Sequence, residues 1–299
     1  RYSPDYNVIE FNTRYDWSGD NGFNGAVEMC NGAGVCRKED VGTMCPSYQA
    51  TLDEAHSTRG RANALRAAIS GRLPNDIANP QVKVVLDLCL SCKACSNECP
   101  SSVDVAKMKS EFLSAYYDRN GTPVTARLFG NIHQVNKLAG HMPALSNMML
   151  TNPLGKLGAS MMGIPTDRPF PLYAQKRFTA LGDYVQYDTP DAVLIVDTFT
   201  EWNHPEVGVA VMTLAEKLGL KVNVERLPDQ GCCGRPAISK GLLDNAKQMA
   251  HANVLGLYRQ YPDTPYIFIE PSCLSAFTDD YLTLVDPAIQ PSAQSLAQR

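Results

Sequence analysis

The stretch CLSCKACSNECP (residues 89–100) limits what this chain can fold into more than any other. Its cysteines at 89, 92, 95 and 99 follow C-x2-C-x2-C-x3-C-P without exception. Three thiolates at i, i+3 and i+6 on a turning loop grip three corners of a 4Fe–4S cube. In two-cluster arrangements the fourth cysteine, followed by proline, ligates the other cluster. Zinc takes paired C-x2-C units that close a tetrahedron, so four cysteines in one such run favour iron and sulfide.

A second group, CNGAGVCRKEDVGTMCPSY, reads C-x5-C-x8-C-P at Cys30, Cys36 and Cys45. Aligned on its Cys-Pro end, Cys45 takes the exported role and completes one 4Fe–4S cluster with Cys89, Cys92 and Cys95. Cys99 reaches back to Cys30 and Cys36. That second site has three thiolates, because Ala33 occupies the slot where a fourth would sit. Three outcomes are open: a 3Fe–4S cluster, a 4Fe–4S cluster whose open iron takes water or a carboxylate such as Asp40, or no cluster. Gly32 and Gly34 flank the slot and either let backbone N–H groups approach cluster sulfurs or make a tight turn.

The chain has 10 cysteines in 299 residues, gathered in tight groups rather than spread as staples. This favours metal in a reducing compartment over a disulfide framework. Length suggests about two domains. A net charge of −4 with no long basic run points away from nucleic acid and from anionic membrane as partners. No apolar run is long enough to span a bilayer. The expected location is cytoplasmic, with peripheral contact to the inner face of a membrane as an option.

Residues 1–25 are polar, begin RYSPDYNVIEF without leader character, and read as an extended or loose connector from an upstream domain. Residues 26–120 read as helical. Ser57 or Thr58 caps a helix over 57–71, Pro80 opens a second toward Cys89, and 103–121 forms a third ended by Gly121. Arg59, Arg61 and Arg66 crowd the first of these. They pair with an acidic partner, offset a thiolate cluster, or lie on a solvated face. Residues 121–190 hold two or three short helical patterns rich in Met (142, 148, 149, 161, 162) and then a Pro-rich linker. The Met side chains serve interdomain packing or a membrane- or partner-contacting surface.

Residues 191–290 alternate strand-like runs (AVLIVD, KVNVER, YIFIE) with helical ones, which predicts a parallel α/β sheet. Cys232, Cys233 and Cys273 follow the second and third strands, where such sheets place ligands. Adjacent Cys232 and Cys233 could form only a strained disulfide. The three cysteines hold a cluster with a non-cysteine ligand, bind zinc, act as a redox pair, or line a retained fold without metal. His204 is a candidate ligand or a helix-entry hydrogen bonder. No Ser/His/Asp set and no phosphate loop is present, so no catalytic residue is assigned.

The Cys45–Cys89 spacing is similar to the helical two-cluster ferredoxin-type domain of succinate dehydrogenase iron–sulfur subunits, where one cluster commonly has a non-cysteine in the second slot. DTFTEWNHPEVG, GCCGRPAISKGLLDNAKQMA and EPSC, in that order, resemble the CCG domain. That domain occurs in heterodisulfide reductases, in iron–sulfur subunits of glycolate oxidase and anaerobic glycerol-3-phosphate dehydrogenase, and in lactate-utilisation proteins. Fuller versions of it have a further cysteine where Thr198 stands. Over residues 25–285 the chain resembles the C-terminal iron–sulfur half of FAD-linked oxidoreductases of the D-lactate/D-2-hydroxyglutarate dehydrogenase and glycolate oxidase type. The resemblance implies an all-α two-cluster domain followed by an α/β CCG domain. It also implies FAD on an upstream or partner dehydrogenase domain, a 2-hydroxy acid as substrate, and a quinone or other carrier as acceptor. Two rival readings are a heterodisulfide-reductase-like thiol redox protein and a non-catalytic interaction module stabilised by zinc.

Overall fold

The computed structural model describes residues 6–74 and 76–299. They form two compact units. The first runs to Thr122 and takes in Ile238–Leu243; the second comprises Pro123–Ala237 and Asp244–Arg299.

The first unit is helical: α1 (Gly22–Glu28), α2 (Pro46–Thr51), α3 (Thr58–Ile69), α4 (Pro80–Asp87), α5 (Ala94–Glu98) and α6 (Val105–Asn120). Its starts are set by side chains that take up otherwise unpaired backbone N–H groups. Ser57 accepts from the N–H of Gly60, Asn79 from Gln81 and Val82, and Asp104 from Lys107. Gly121, at φ +80°, ends α6 in a conformation that favours glycine. Ala62, Leu65, Leu86, Met108 and Phe112 are buried and build the core between these helices.

Of residues 1–25, expected to be extended or loose, residues 9–25 are instead packed into this unit, and residues 1–5 lie outside the described residues. Tyr15, Trp17 and Phe23 are buried, with the Trp17 and Phe23 rings edge-on at 5.3 Å. Backbone N–H groups of Arg14 and Tyr15 and the Trp17 indole N–H all donate to the Glu111 carboxylate on α6, at 2.8, 3.0 and 3.0 Å. Burial nevertheless pushes the Glu111 pKa up, with the three donors pulling the other way. Aromatic side chains give this polar stretch enough apolar area to dock.

The second unit opens with four short helices, α7 (Val124–Gly130), α8 (Ile132–Gly140), α9 (Pro143–Thr151) and α10 (Pro153–Met161), rather than two or three. Pro143 and Pro153 each restart a helix at its first turn, which divides the run more finely than its apolar pattern suggests. A parallel sheet follows with order β2-β1-β3: β1 (Ala192–Val196), β2 (Val222–Arg226) and β3 (Tyr266–Phe268). In register, Leu194 faces Val224 on one side and Ile267 on the other. Central β1 is buried along its whole length. Phe178, from the Pro-rich stretch, joins Leu194, Val196, Val222 and Val224 in the core. The buried Asn223 side chain ties the same stretch to β2 by exchanging hydrogen bonds with the backbone of Tyr187, at 2.8 and 3.0 Å. Helices α11 (Thr198–Trp202) and α12 (Pro205–Lys217) connect β1 to β2. Three more, α13 (Pro228–Gly231), α14 (Arg235–Ser239) and α15 (Leu243–Gln260), connect β2 to β3.

Candidate iron–sulfur sites and a buried thiol cluster

In the first unit the seven motif cysteines line two cavities. Cys45, Cys89, Cys92 and Cys95 line one. Cys30, Cys36 and Cys99 line another. Thr58, at the start of α3, lies in both walls. The local backbone explains the division. Cys89 follows α4, and the loop then turns through left-handed Ser91 (φ +54°) and Lys93 (φ +60°) before Cys95 enters α5. Cys99 caps the far end of α5 in extended conformation and so leaves the loop. Cys45 likewise stands in extended conformation ahead of Pro46 at the start of α2. The first wall can supply four thiolates and the second three.

Positive charge gathers on the first cavity. Arg61 is 1% exposed and lines that wall. Its Nη1 donates to Cys45 Sγ at 3.2 Å, its Nη2 to Ser47 Oγ at 2.8 Å and its Nε to the Val85 carbonyl at 3.2 Å. Of the readings open for the arginine cluster, Arg61 takes that of a charge set against a thiolate. Lys109 Nζ donates to the Cys89 carbonyl at 2.7 Å, and burial pulls its pKa down. Burial raises the Cys45 thiol, but the Ser47 hydroxyl and the Arg61 charge outweigh it and hold Cys45 below its usual range. Burial pushes Cys95 up to about 12, with the Asp104 charge adding to it.

At the second cavity the backbone N–H of Arg59 donates to Cys36 Sγ at 3.4 Å, while burial raises that thiol. Ala33 lies in the wall, its N–H donating to Asn31 Oδ1 at 2.9 Å. Gly32 and Gly34 carry φ of +84° and +74°, so the turn demands both glycines. Among the described residues, no carboxylate lines this cavity, and Asp40 is exposed and outside the wall. One carboxylate connects the two segments: Glu98, preceding Cys99, accepts from the N–H of Thr43 at 2.7 Å and of Met44 at 3.2 Å, just ahead of Cys45. These donors hold its pKa below the usual carboxylate range.

The second unit places Cys232, Cys233 and Cys273 together, all buried, beyond the carboxyl ends of β2 and β3. Cys233 Sγ donates to Cys273 Sγ at 2.9 Å. Tyr281 Oη donates to the Cys233 carbonyl at 2.7 Å, and Asn253 Nδ2 donates to the Cys232 carbonyl at 2.9 Å. His133 on α8 hydrogen-bonds the Cys232 thiol, a neighbour nearly 100 residues away that motif spacing does not reveal. One turn on, Asn136 Nδ2 donates to Thr198 Oγ1 at 3.3 Å, so α8 faces the position where fuller CCG domains have cysteine. The contact with Cys233, then burial, drives the Cys232 pKa well up. Cys233 is also raised: the Cys232 contact favours its thiolate, but Cys273 and burial outweigh it. His204, the ligand candidate, is exposed and pairs with Glu206 at 3.2 Å instead. Among the described residues, no group of three or more His, Cys, Asp or Glu gathers tightly enough for a single metal ion. A cluster spreads its ligands over several irons.

The fold and its cavities define a helical domain with two cysteine sites, followed by a parallel α/β unit with a third thiol group. Residues 26–103 match the 4Fe-4S dicluster domain, which marks this region as iron–sulfur binding. The chain is 26% identical over 308 residues to D-2-hydroxyglutarate dehydrogenase of Pseudomonas putida, covering 84% of the chain and 29% of that protein. It is 27% identical over 309 residues to D-2-hydroxyglutarate dehydrogenase of Escherichia coli, covering 86% of the chain and 30% of that protein. A shorter match, 33% identical over 88 residues, is to a probable glycolate oxidase iron-sulfur subunit of Bacillus subtilis, covering 29% of the chain and 18% of the subunit. The chain thus spans under a third of the length of these relatives. No solved structure matches it significantly. The resemblance drawn from the motifs holds: this is an iron–sulfur module similar to the corresponding region of FAD-linked 2-hydroxy-acid oxidoreductases.

Proposed function

We propose that the first unit relays single electrons from a flavin to an acceptor through two iron–sulfur clusters. The observation that carries this reading is the pair of thiol-walled cavities, each drawing cysteines from both motif groups. In this reading Cys45, Cys89, Cys92 and Cys95 hold a 4Fe–4S cluster. Cys30, Cys36 and Cys99 hold a three-cysteine cluster, either 3Fe–4S or 4Fe–4S with an open iron. Such clusters, when bound, take up and release one electron at a time. The chain's own residues supply the rest. Arg61 and Lys109 offset thiolate charge on the first cavity, and the shared wall at Thr58 keeps the two sites adjacent.

The flavin belongs to a dehydrogenase domain fused upstream or on a partner. Oxidation there of a 2-hydroxy acid (D-2-hydroxyglutarate, D-lactate or glycolate) to the 2-oxo acid releases two protons and two electrons. The electrons leave this module for a quinone or another carrier. The names of the relatives support the substrate class.

The test is anaerobic purification with reconstitution, then iron and sulfide analysis. About seven or eight irons with matching sulfide per chain are expected. Visible absorption should bleach when reduced flavin is added. A colourless, zinc-loaded protein would overturn the relay.

The 2.9 Å Cys233–Cys273 contact favours a second reading, in which the CCG thiols cycle to a disulfide with release of two protons and two electrons. It predicts that Cys233→Ser or Cys273→Ser abolishes turnover while the clusters of the first unit remain. Normal electron transfer in those variants excludes it.

A further inference from the structure

Helices α9 and α10 are built inside out. Neither contains a buried residue. On α9 the polar Asn147 points inward, its amide exchanging two 2.8 Å hydrogen bonds with the backbone of Tyr173. The apolar stripe Met142, Leu145, Met148 and Met149 is left exposed. On α10, Leu154, Leu157 and Met161 recur at i, i+3 and i+7, with Leu154 78% and Met161 82% exposed. A solvent-facing helix normally shows the opposite polarity.

Charge selects the occupant. None of the chain's 31 acidic residues falls between Asp118 and Asp167, although Arg127, Lys137 and Lys156 do, all exposed. The overall charge of −4 conceals this local excess of positive charge. Among the described residues, no helix is long and apolar enough to cross a membrane. An apolar helix face with cations and no carboxylates suits lying in the plane of an anionic bilayer interface.

We propose that α9 and α10 dock this chain on an anionic lipid surface, with the Leu/Met face entering the headgroup–acyl boundary and Lys137 and Lys156 meeting lipid phosphates. The proposal does not depend on the electron-transfer reading, since it needs no cluster. The test is co-sedimentation of the purified chain with phosphatidylcholine vesicles, with and without phosphatidylglycerol. Binding should be stronger to the anionic vesicles and weaken with salt. The double variant Leu154→Asp/Met161→Asp should lower partitioning about tenfold or more. Lys137→Glu/Lys156→Glu should abolish the preference for phosphatidylglycerol. Both pairs are exposed, so circular dichroism should be unchanged. Failure to bind either vesicle overturns the proposal. So does equal binding by the Asp variant, or self-association of the chain that the Asp variant abolishes without any vesicle binding.

Discussion

The Nη1 of Arg61 lies 3.2 Å from the Sγ of Cys45, and the rest of the guanidinium is spent on Ser47 and the Val85 carbonyl. A buried arginine fixed by three partners is a permanent positive charge on the wall of the first cavity. Arg61→Gln removes that charge and leaves Ser47 and Val85 short of a donor. The cluster proposed there should become harder to reduce, its potential falling by about 59 mV if the one-electron equilibrium shifts tenfold. The same variant should lose about 3 kcal/mol of stability, because a buried network loses its centre. A redox titration followed by electron paramagnetic resonance, beside urea denaturation, measures both. An unchanged potential would show that Arg61 serves packing alone.

Glu98 joins the segment before Cys99 to the segment before Cys45. Glu98→Ala frees the Thr43 and Met44 N–H groups and lets the two Cys-Pro segments drift apart. Iron should be lost to a chelator severalfold faster from both sites, not from one. Glu98→Gln, which keeps one acceptor oxygen, should fall between. Loss confined to a single site would break the link between the segments.

Ala33 lies in the wall of the three-cysteine cavity, at the slot that a fourth thiolate would fill. The oxidised protein is expected to give a 3Fe–4S resonance. In Ala33→Cys that signal should vanish while iron rises by about one per chain. If neither changes, Ala33 does not mark the vacant corner.

The raised pKa of Glu111 sets a pH dependence. Burial is the main cause, so the folded state holds its proton more tightly than the unfolded chain does. The group therefore stabilises the fold fully below its unfolded pKa, and that contribution is lost as pH rises through the higher folded value. Glu111→Gln has no such titration and supplies one acceptor oxygen to three donors, so it should be less stable by about 1–3 kcal/mol in acid. The gap between wild type and variant should narrow as pH rises from 4 to 8, as read by denaturation at several pH values. A gap that widens would reverse the assignment.

What the sequence made legible is local. The helices starting at Thr58, Pro80 and Val105 announce themselves through Ser57, Pro80 and Gly121, each at the end of the helix it marks. The strands of the second unit are short apolar runs that read as buried without a partner in view. The division of cysteines between two cavities follows from motif spacing alone. What escaped depends on partners far along the chain. Residues 9–25 look loose until Glu111 is seen receiving Arg14, Tyr15 and Trp17. His133 has no spacing that marks it, because its partner Cys232 reaches it through the fold. His204 looked better placed, beside the first strand, yet turns to solvent.

The exchange of Cys45 and Cys99 between the two motif groups also bears on how the protein matures. The first cavity takes its wall from residue 45 and from residues 89 to 95; the second, from residues 30 and 36 and from residue 99. Neither is complete while the ribosome is still upstream of this loop. On the cluster assignment proposed above, the early thiols at Cys30, Cys36 and Cys45 cannot close either site until the second motif emerges. Loading of both sites then becomes a single late event, and an arrest between the two motifs would yield a chain with no finished site at all.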